Sequence, residues 1–193
     1  MISITKIGTF DTAHKVVGHK GKCKNLHGHT FKYEIVLTPI TRYYDVDIDG
    51  DGSGMLFDFG VLQKIVGSFV NSCWDHGAIL NPQDPLIRHI DTKLWIMTPY
   101  ASSSFCNPTS ENLARELFFI ASYLLRSYHV NVDQVTIWET CTCKATYNQE
   151  VSNSVQADYV KRLGKYLNEK VKEHNKVQRQ MANDEVSTKR TGT

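Results

Sequence analysis

The sequence predicts an α+β fold, and three observations carry that expectation. Residues 2–14, 27–38 and 132–138 hold apolar and polar side chains in alternation, the period of a half-buried strand. Residues 61–73 and 113–125 repeat apolar side chains at helical spacing. The order is strand, strand, helix, helix, strand, strand. Strands that pair with helices covering one face define the α+β class.

Composition sets the frame. A chain of 193 residues fits one domain better than two and can bury a core without staples. Hydrophobic residues at 41% and charged residues at 22% describe a soluble globular protein. No window approaches the ~18 apolar residues of a membrane span, and Met1–Lys6 lacks the basic-then-apolar form of a secretion signal. Cys23, Cys73, Cys106, Cys141 and Cys143 are an odd set with no paired framework. They read as reduced thiols of a cytoplasmic protein. A formal charge of +2 is too weak to imply nucleic acid as a partner.

The first strand runs through Ile2, Ile4, Phe10 and Thr12 to His14. Residues 15–26 form a basic loop with Gly18, Lys20, Gly21, Lys22, Cys23 and Lys24. The clearest strand, 27–38, puts His27, His29, Phe31, Tyr33, Ile35 and Leu37 on one face. Asp45–Gly54 is acidic and glycine-rich. A hairpin turn fits it better than a calcium loop, because Asp58 stands where an EF-hand needs a bidentate Glu and the flanks read as strands. Met55–Phe57 opens a short strand. Asp58 then caps a helix through Val61, Leu62, Ile65, Val66, Phe69, Val70 and Cys73. That helix stops before Trp74-Asp75-His76-Gly77. A loop follows from Asn81-Pro82, and Lys93–Thr98 is a further candidate strand.

Asn107-Pro108-Thr109-Ser110-Glu111 starts the second helix. Thr109 or Ser110 can cap it, and Glu111 suits the positive end of the helix dipole. Strand 132–138 carries Val135 and Ile137, and Glu139 continues their apolar face. A carboxylate there costs free energy unless it is paired or bound. A turn near Cys141–Cys143 returns the chain through Ala145 and Tyr147. Residues 151–178 read as an amphipathic helical extension, with Val155, Tyr159, Leu163, Leu167 and Val171 on its stripe. Residues 179–193 have the polar composition of a disordered tail.

Four features carry chemistry. His27 and His29 lie two apart on one strand and aim both rings at one point, with His14 on the strand beside them. Three histidines without a fourth protein ligand resemble a catalytic metal site with an open position, zinc before iron or nickel; the plainer reading is surface or core histidines. Cys23 is a small buried hydrophobe, a fourth metal ligand, or a reactive thiol whose pKa Lys22, Lys24 and a nearby metal lower. Asp75-His76 is a helix-end turn or a carboxylate fixing an imidazole tautomer. Glu139 is a solvated edge residue or an acceptor for parallel N–H donors, as a guanidinium or an aminopyrimidinone edge offers.

Taken together, Phe10-x-x-Ala13-His14, Cys23-x-x-Leu26-His27-Gly28-His29, Gly54-Met55-x-x-Asp58-Phe59, Asp75-His76-x-x-x-Leu80-Asn81, Pro108-Thr109-Ser110-Glu111-Asn112-Leu113-Ala114 and Glu139-Thr140 resemble the 6-pyruvoyltetrahydropterin synthase and 6-carboxytetrahydropterin synthase family. The motifs stand in the family's order across roughly residues 8–148, within a domain of 1–150. The resemblance implies the tunnelling fold. That is an antiparallel four-stranded sheet with two helices on one face, its strands joining a barrel in a homohexamer of two trimers, with active sites at subunit interfaces. It also implies roles: zinc on His14, His27 and His29; Cys23 as catalytic thiol with Asp75 and His76 completing its proton relay; Glu139 as pterin anchor; and Thr109, Ser110 and Glu111 at the pterin pocket.

The substrate so implied is 7,8-dihydroneopterin triphosphate. The carboxy enzyme makes 6-carboxytetrahydropterin, acetaldehyde and triphosphate for 7-deazaguanine (preQ0/queuosine-type) biosynthesis. It is favoured because the Cys23–His27 gap is short, as in bacterial members, and because Asn107–Glu111 and Glu139–Thr142 look like the carboxy type. The alternatives are the pyruvoyl enzyme, which eliminates triphosphate, and a zinc- and pterin-binding protein without turnover. The chain departs from the family pattern in an insertion at about Pro85–Phe105 and in everything past about residue 150.

Overall fold

The computed structural model describes residues 2–40, 54–99, 106–148 and 159–169. The acidic stretch 45–53 and the tail 179–193 lie outside the described residues. In chain order the elements are β1 (Ile4–His14), β2 (His27–Pro39), α1, β3 (Gly77–Leu80), β4 (Leu94–Ile96), α2 (Ser110–Leu124), β5 (Val130–Thr140), β6 (Cys143–Asn148) and α3, residues 159–169. Helix α1 is a continuous run of Phe59–Leu62, a π-helical turn Gln63–Gly67 and Ser68–Cys73. Asp58 caps it by accepting from the Gly60 amide.

The α+β class holds, but the sheet is not four antiparallel strands. Among the described residues it has six, in the order β4-β3-β1-β2-β5-β6. β1, β2, β5 and β6 form antiparallel pairs, while β3 lies parallel to β1 and β4 parallel to β3. The periodicity missed β3 for a physical reason. Ala78, Ile79 and Leu80 are all buried, so this short strand reads as an apolar run with no alternation. Residues 55–57 are a bend rather than a strand; Leu56 and Phe57 instead drop into the core.

The large buried side chains of β1, β2 and β5 share one face. Phe10, Phe31, Tyr33, Ile35, Leu37, Val135 and Ile137 pack there against Leu62, Val66, Phe69 and Val70 of α1 and Leu113, Leu117 and Ile120 of α2. Phe10 and Phe31, opposite each other in the β1–β2 ladder, stack with centroids 5.2 Å apart. Each such side chain contributes about 1.5–3 kcal/mol on burial. On the other face Ile7 is half exposed.

α2 is buried on more than the sheet side, because α3 covers it from the other. Tyr159, Leu163 and Leu167 are fully buried, and the Tyr159 ring meets Phe119 at 5.1 Å. Glu116 of α2 lies between them, completely buried. It accepts from Trp95 Nε1 at 2.8 Å, from the Thr98 amide at 3.2 Å and from the Tyr159 hydroxyl at 3.3 Å. Burial outweighs these donors and lifts its carboxyl to about 7. One carboxylate thus ties α2 to the segment around β4 and to α3.

Candidate active site

The ladder that builds the sheet also builds the site. His14 ends β1 directly opposite His27, the first residue of β2. Its inward position follows the alternation through Phe10 and Thr12, both buried. His29 lies one step further along the inward face of β2. The three rings converge, with centroids 4.4 Å (His14–His27), 5.2 Å (His14–His29) and 5.0 Å (His27–His29) apart.

Glu139 joins them from β5. The β5–β6 register shifts between Trp138 and Thr140, so Glu139 is the extra residue of a bulge. A bulge bends the strand and re-aims its side chain. Glu139 Oε1 lies 3.3 Å from His29 Nε2 and 3.9 Å from His14 Nε2. One ligand atom from each of His14, His27, His29 and Glu139 lies within 4.8 Å of the others. Sequence reasoning set Glu139 apart as a substrate anchor; the fold puts it in the histidine cluster.

The tautomers are set by what stands behind the rings. His14 Nδ1 donates to the Pro108 carbonyl and His27 Nδ1 to the Asn25 carbonyl, both at 2.8 Å. A carbonyl only accepts, so each ring presents Nε2 as a free lone pair. Carbonyls behind the rings are the usual support of metal-binding histidines. Burial is the main cause holding the His14 pKa below its ordinary value. His27 and His29 add to it, while the Pro108 bond and Glu139 oppose it. His14 is therefore neutral near pH 7, as a ligand must be.

The donor set fits a divalent ion. His14 Nε2 and His29 Nε2 are buried without a hydrogen-bond partner among the described residues, an arrangement that costs free energy unless something binds there. Glu139 Oε1 faces the same two Nε2 atoms at 3.3 and 3.9 Å and so borders the space between the rings.

The segment before α2 divides its work. Thr109 is the N-cap, its side chain accepting from the Asn112 amide. Ser110 donates its hydroxyl to Glu139 Oε2 at 2.7 Å. Glu111 is exposed on the first turn and stands outside the cluster. Pro108, which no residue-type rule marks, supplies the carbonyl that orients His14.

Asp75 and His76 form a second, separate cluster. Asp75 Oδ2 pairs with His76 Nδ1 at 2.6 Å, and Asp75 Oδ1 accepts the Asp11 amide at 2.7 Å. The Asp11 side chain, in turn, accepts from Thr30 Oγ1. Burial raises the Asp75 pKa, but the Asp11 amide, the His76 ring and Lys93 outweigh it and hold the carboxyl below its usual range. His76 has φ 53°, the left-handed region, which costs a non-glycine residue about 1–2 kcal/mol. Its backbone N–H donates a hydrogen bond to the Asp11 carbonyl at 2.7 Å, which helps to hold it there. Asp11, Thr30, Gly28 and His76 line an open cavity of about 400 Å³. Cys23 stands in neither cluster. It is half-buried in a 3-10 turn, Lys22–Lys24. No helix among the described residues is long and apolar enough to cross a membrane.

Comparison with known proteins finds similar sequences and similar folds. The 6-pyruvoyl tetrahydropterin synthase family matches residues 3–150. The 6-carboxy-5,6,7,8-tetrahydropterin synthase of Haemophilus influenzae is 30% identical over 149 residues, 77% of this chain and 100% of its own. The enzyme of the same name from Rickettsia bellii is 31% identical over 145 residues, 74% of this chain and 97% of its own. Among solved structures, an uncharacterized Wolinella succinogenes protein superposes with TM-score 0.59 at 22% identity, covering 77% of this chain and 98% of its own. The 6-pyruvoyl tetrahydropterin synthase of Caenorhabditis elegans superposes with TM-score 0.51 at 23% identity, covering 77% and 96%.

Proposed function

The chain belongs to the 6-pyruvoyl tetrahydropterin synthase family, and from that premise we propose that it is a zinc-dependent 6-carboxy-5,6,7,8-tetrahydropterin synthase. It converts 7,8-dihydroneopterin triphosphate and one water to 6-carboxytetrahydropterin, acetaldehyde and triphosphate, a step of 7-deazaguanine (preQ0/queuosine-type) biosynthesis. The observation that carries the reading is the convergence of His14, His27, His29 and Glu139 around unpartnered Nε2 atoms. The names of the Haemophilus and Rickettsia relatives favour the carboxy product over the pyruvoyl one.

In this reading His14, His27 and His29 hold the metal. When bound, zinc supplies Lewis acidity toward the hydroxyls of the substrate side chain. Glu139 accepts the parallel N–H donors of the pterin ring. Its bond to Ser110 keeps it at the rim of the cluster, so the ring's side chain is presented there, which is catalysis by positioning. Cys23 takes a proton from the side chain as general base. His76, its tautomer fixed by Asp75, returns one as general acid.

Within one chain Cys23 stands outside the Asp75–His76 cluster. This supports active sites shared between subunits, with sheets joined into the barrel of a tunnelling-fold homohexamer. Incubation of purified protein with 7,8-dihydroneopterin triphosphate tests the reaction. Acetaldehyde and triphosphate are expected in equal amounts. Triphosphate without acetaldehyde overturns the carboxy assignment in favour of the pyruvoyl one, and release of neither means binding without turnover.

A further inference from the structure

The loop that carries Cys23 is held by one side chain from 84 residues further along the chain. Asn107 Oδ1 accepts from the Val17 amide at 2.9 Å, and Asn107 Nδ2 donates to the Val17 carbonyl at 3.0 Å. Both backbone groups of Val17 are thus satisfied by one primary amide, in the way a strand partner would satisfy them. Only Asn or Gln carries a donor and an acceptor so placed. Asn81 Nδ2 donates to the same Oδ1 at 2.9 Å and fixes which way the amide faces.

The next links run to Cys23. Val16, adjacent to Val17, donates its amide to the Cys23 carbonyl at 2.8 Å, which closes the loop into a ring. Lys24 and Asn25 donate to Gly21 and Lys22, forming the turn around Cys23. Lys15 is tied to the buried Asp84 at 3.1 Å, so the root of the loop is anchored on both sides of Val16. Asn107 also precedes Pro108, whose carbonyl orients His14, and its own carbonyl accepts from Asn112 Nδ2 at 2.8 Å. The segment that fixes a metal-site histidine therefore also fixes the thiol loop.

We infer that Asn107 is a positioning residue for Cys23, setting the thiol loop in register with the histidine cluster through Val17 and Val16. The inference rests on the reading of Cys23 as the thiol that acts on substrate. A loop of glycines and lysines has many conformations of its own, and misplacement of a reacting group by about 1 Å can cost on the order of 100-fold in rate. Asn107→Asp keeps the size of the side chain but turns its donor into an acceptor facing the Val17 carbonyl.

The test is a mutant cycle of Asn107→Asp and Cys23→Ser, read by turnover of 7,8-dihydroneopterin triphosphate, by zinc per chain and by the iodoacetamide alkylation rate of the Cys23 peptide. The expected result for Asn107→Asp is a kcat lowered by about tenfold or more, KM within threefold, unchanged zinc and a severalfold change in Cys23 alkylation. The double variant is expected to be no slower than Cys23→Ser alone, since two residues acting as one unit are non-additive. Asn107→Ser, which leaves room for water, replaces Asn107→Asp if the latter does not fold. The inference is overturned by additive losses, or by lost turnover with unaltered Cys23 alkylation. It falls together with its premise if Cys23→Ser keeps full turnover, an outcome that the alkylation data cannot mimic.

Discussion

Ser110 donates its hydroxyl to Glu139 across 2.7 Å, from the first turn of a helix to the bulge of a strand 29 residues later. Glu139 lies on its other side 3.3 Å from His29. The hydroxyl therefore holds the carboxylate that borders the histidine cluster.

Ser110→Ala should loosen Glu139 without emptying the histidine cluster. A hydrogen bond to a charged group contributes about 1.5–3 kcal/mol, so kcat/KM is expected to fall roughly 10- to 100-fold. Zinc per chain should stay at the wild-type value. Steady-state kinetics with elemental analysis checks both; equal kcat/KM in the two proteins would remove Ser110 from the site.

His29→Ala should lose metal. His29 is only partly exposed, and its Nε2 is buried without a hydrogen-bond partner among the described residues. Chelation of the wild type should abolish turnover and added zinc should restore it, while the variant stays inactive at micromolar zinc. A variant that still binds one zinc per chain with wild-type affinity would mean that the ion sits elsewhere.

Glu116 predicts a pH dependence of stability. Its folded carboxyl is raised to about 7 from an ordinary value of 4.5, so between those values the folded chain binds more protons than the unfolded one. Stability then falls as pH rises from about 4.5 to 7 and levels off above, a loss on the order of 3 kcal/mol from this group. Urea unfolding from pH 4.5 to 8 should show this slope in the wild type and less of it in Glu116→Gln. Every other group is common to both proteins and cancels in the difference. Identical slopes would refute the assignment.

Leu163→Ala tests whether α3 is part of the packed core. Leu163 is buried beside Tyr159 and Leu167 on the outer side of α2. The cavity should cost about 2–5 kcal/mol, read as a lower urea midpoint at unchanged slope. Zinc content of the folded protein should not change. A loss under 0.5 kcal/mol would mean that α3 is only loosely docked.

Much of this was legible in the residues. Alternation alone placed His27 and His29 on the face of Phe31, Tyr33, Ile35 and Leu37, and the ladder has that register. The cap at Asp58 and the helical stripe from Leu62 to Val70 were read from spacing that the packing then used. Glu116 was not legible, because a glutamate among helical apolar residues reads as the solvent side. It is buried only because α3 and the segment around Trp95 close over it.

By itself, then, the sequence determined what depends on neighbours within a few positions: strand period, helix caps, and the pairing of two histidines on one face. The tertiary structure alone decided which distant atoms complete the site. The Pro108 carbonyl on His14 spans 94 residues, and the Asn107 amide on Val17 spans 90. It also added β3, set β3 and the strand expected at Lys93–Thr98 parallel to β1, and brought Glu139 beside the histidine cluster. Periodicity records which way a side chain points along its own element; which partner it meets is set by how the elements pack.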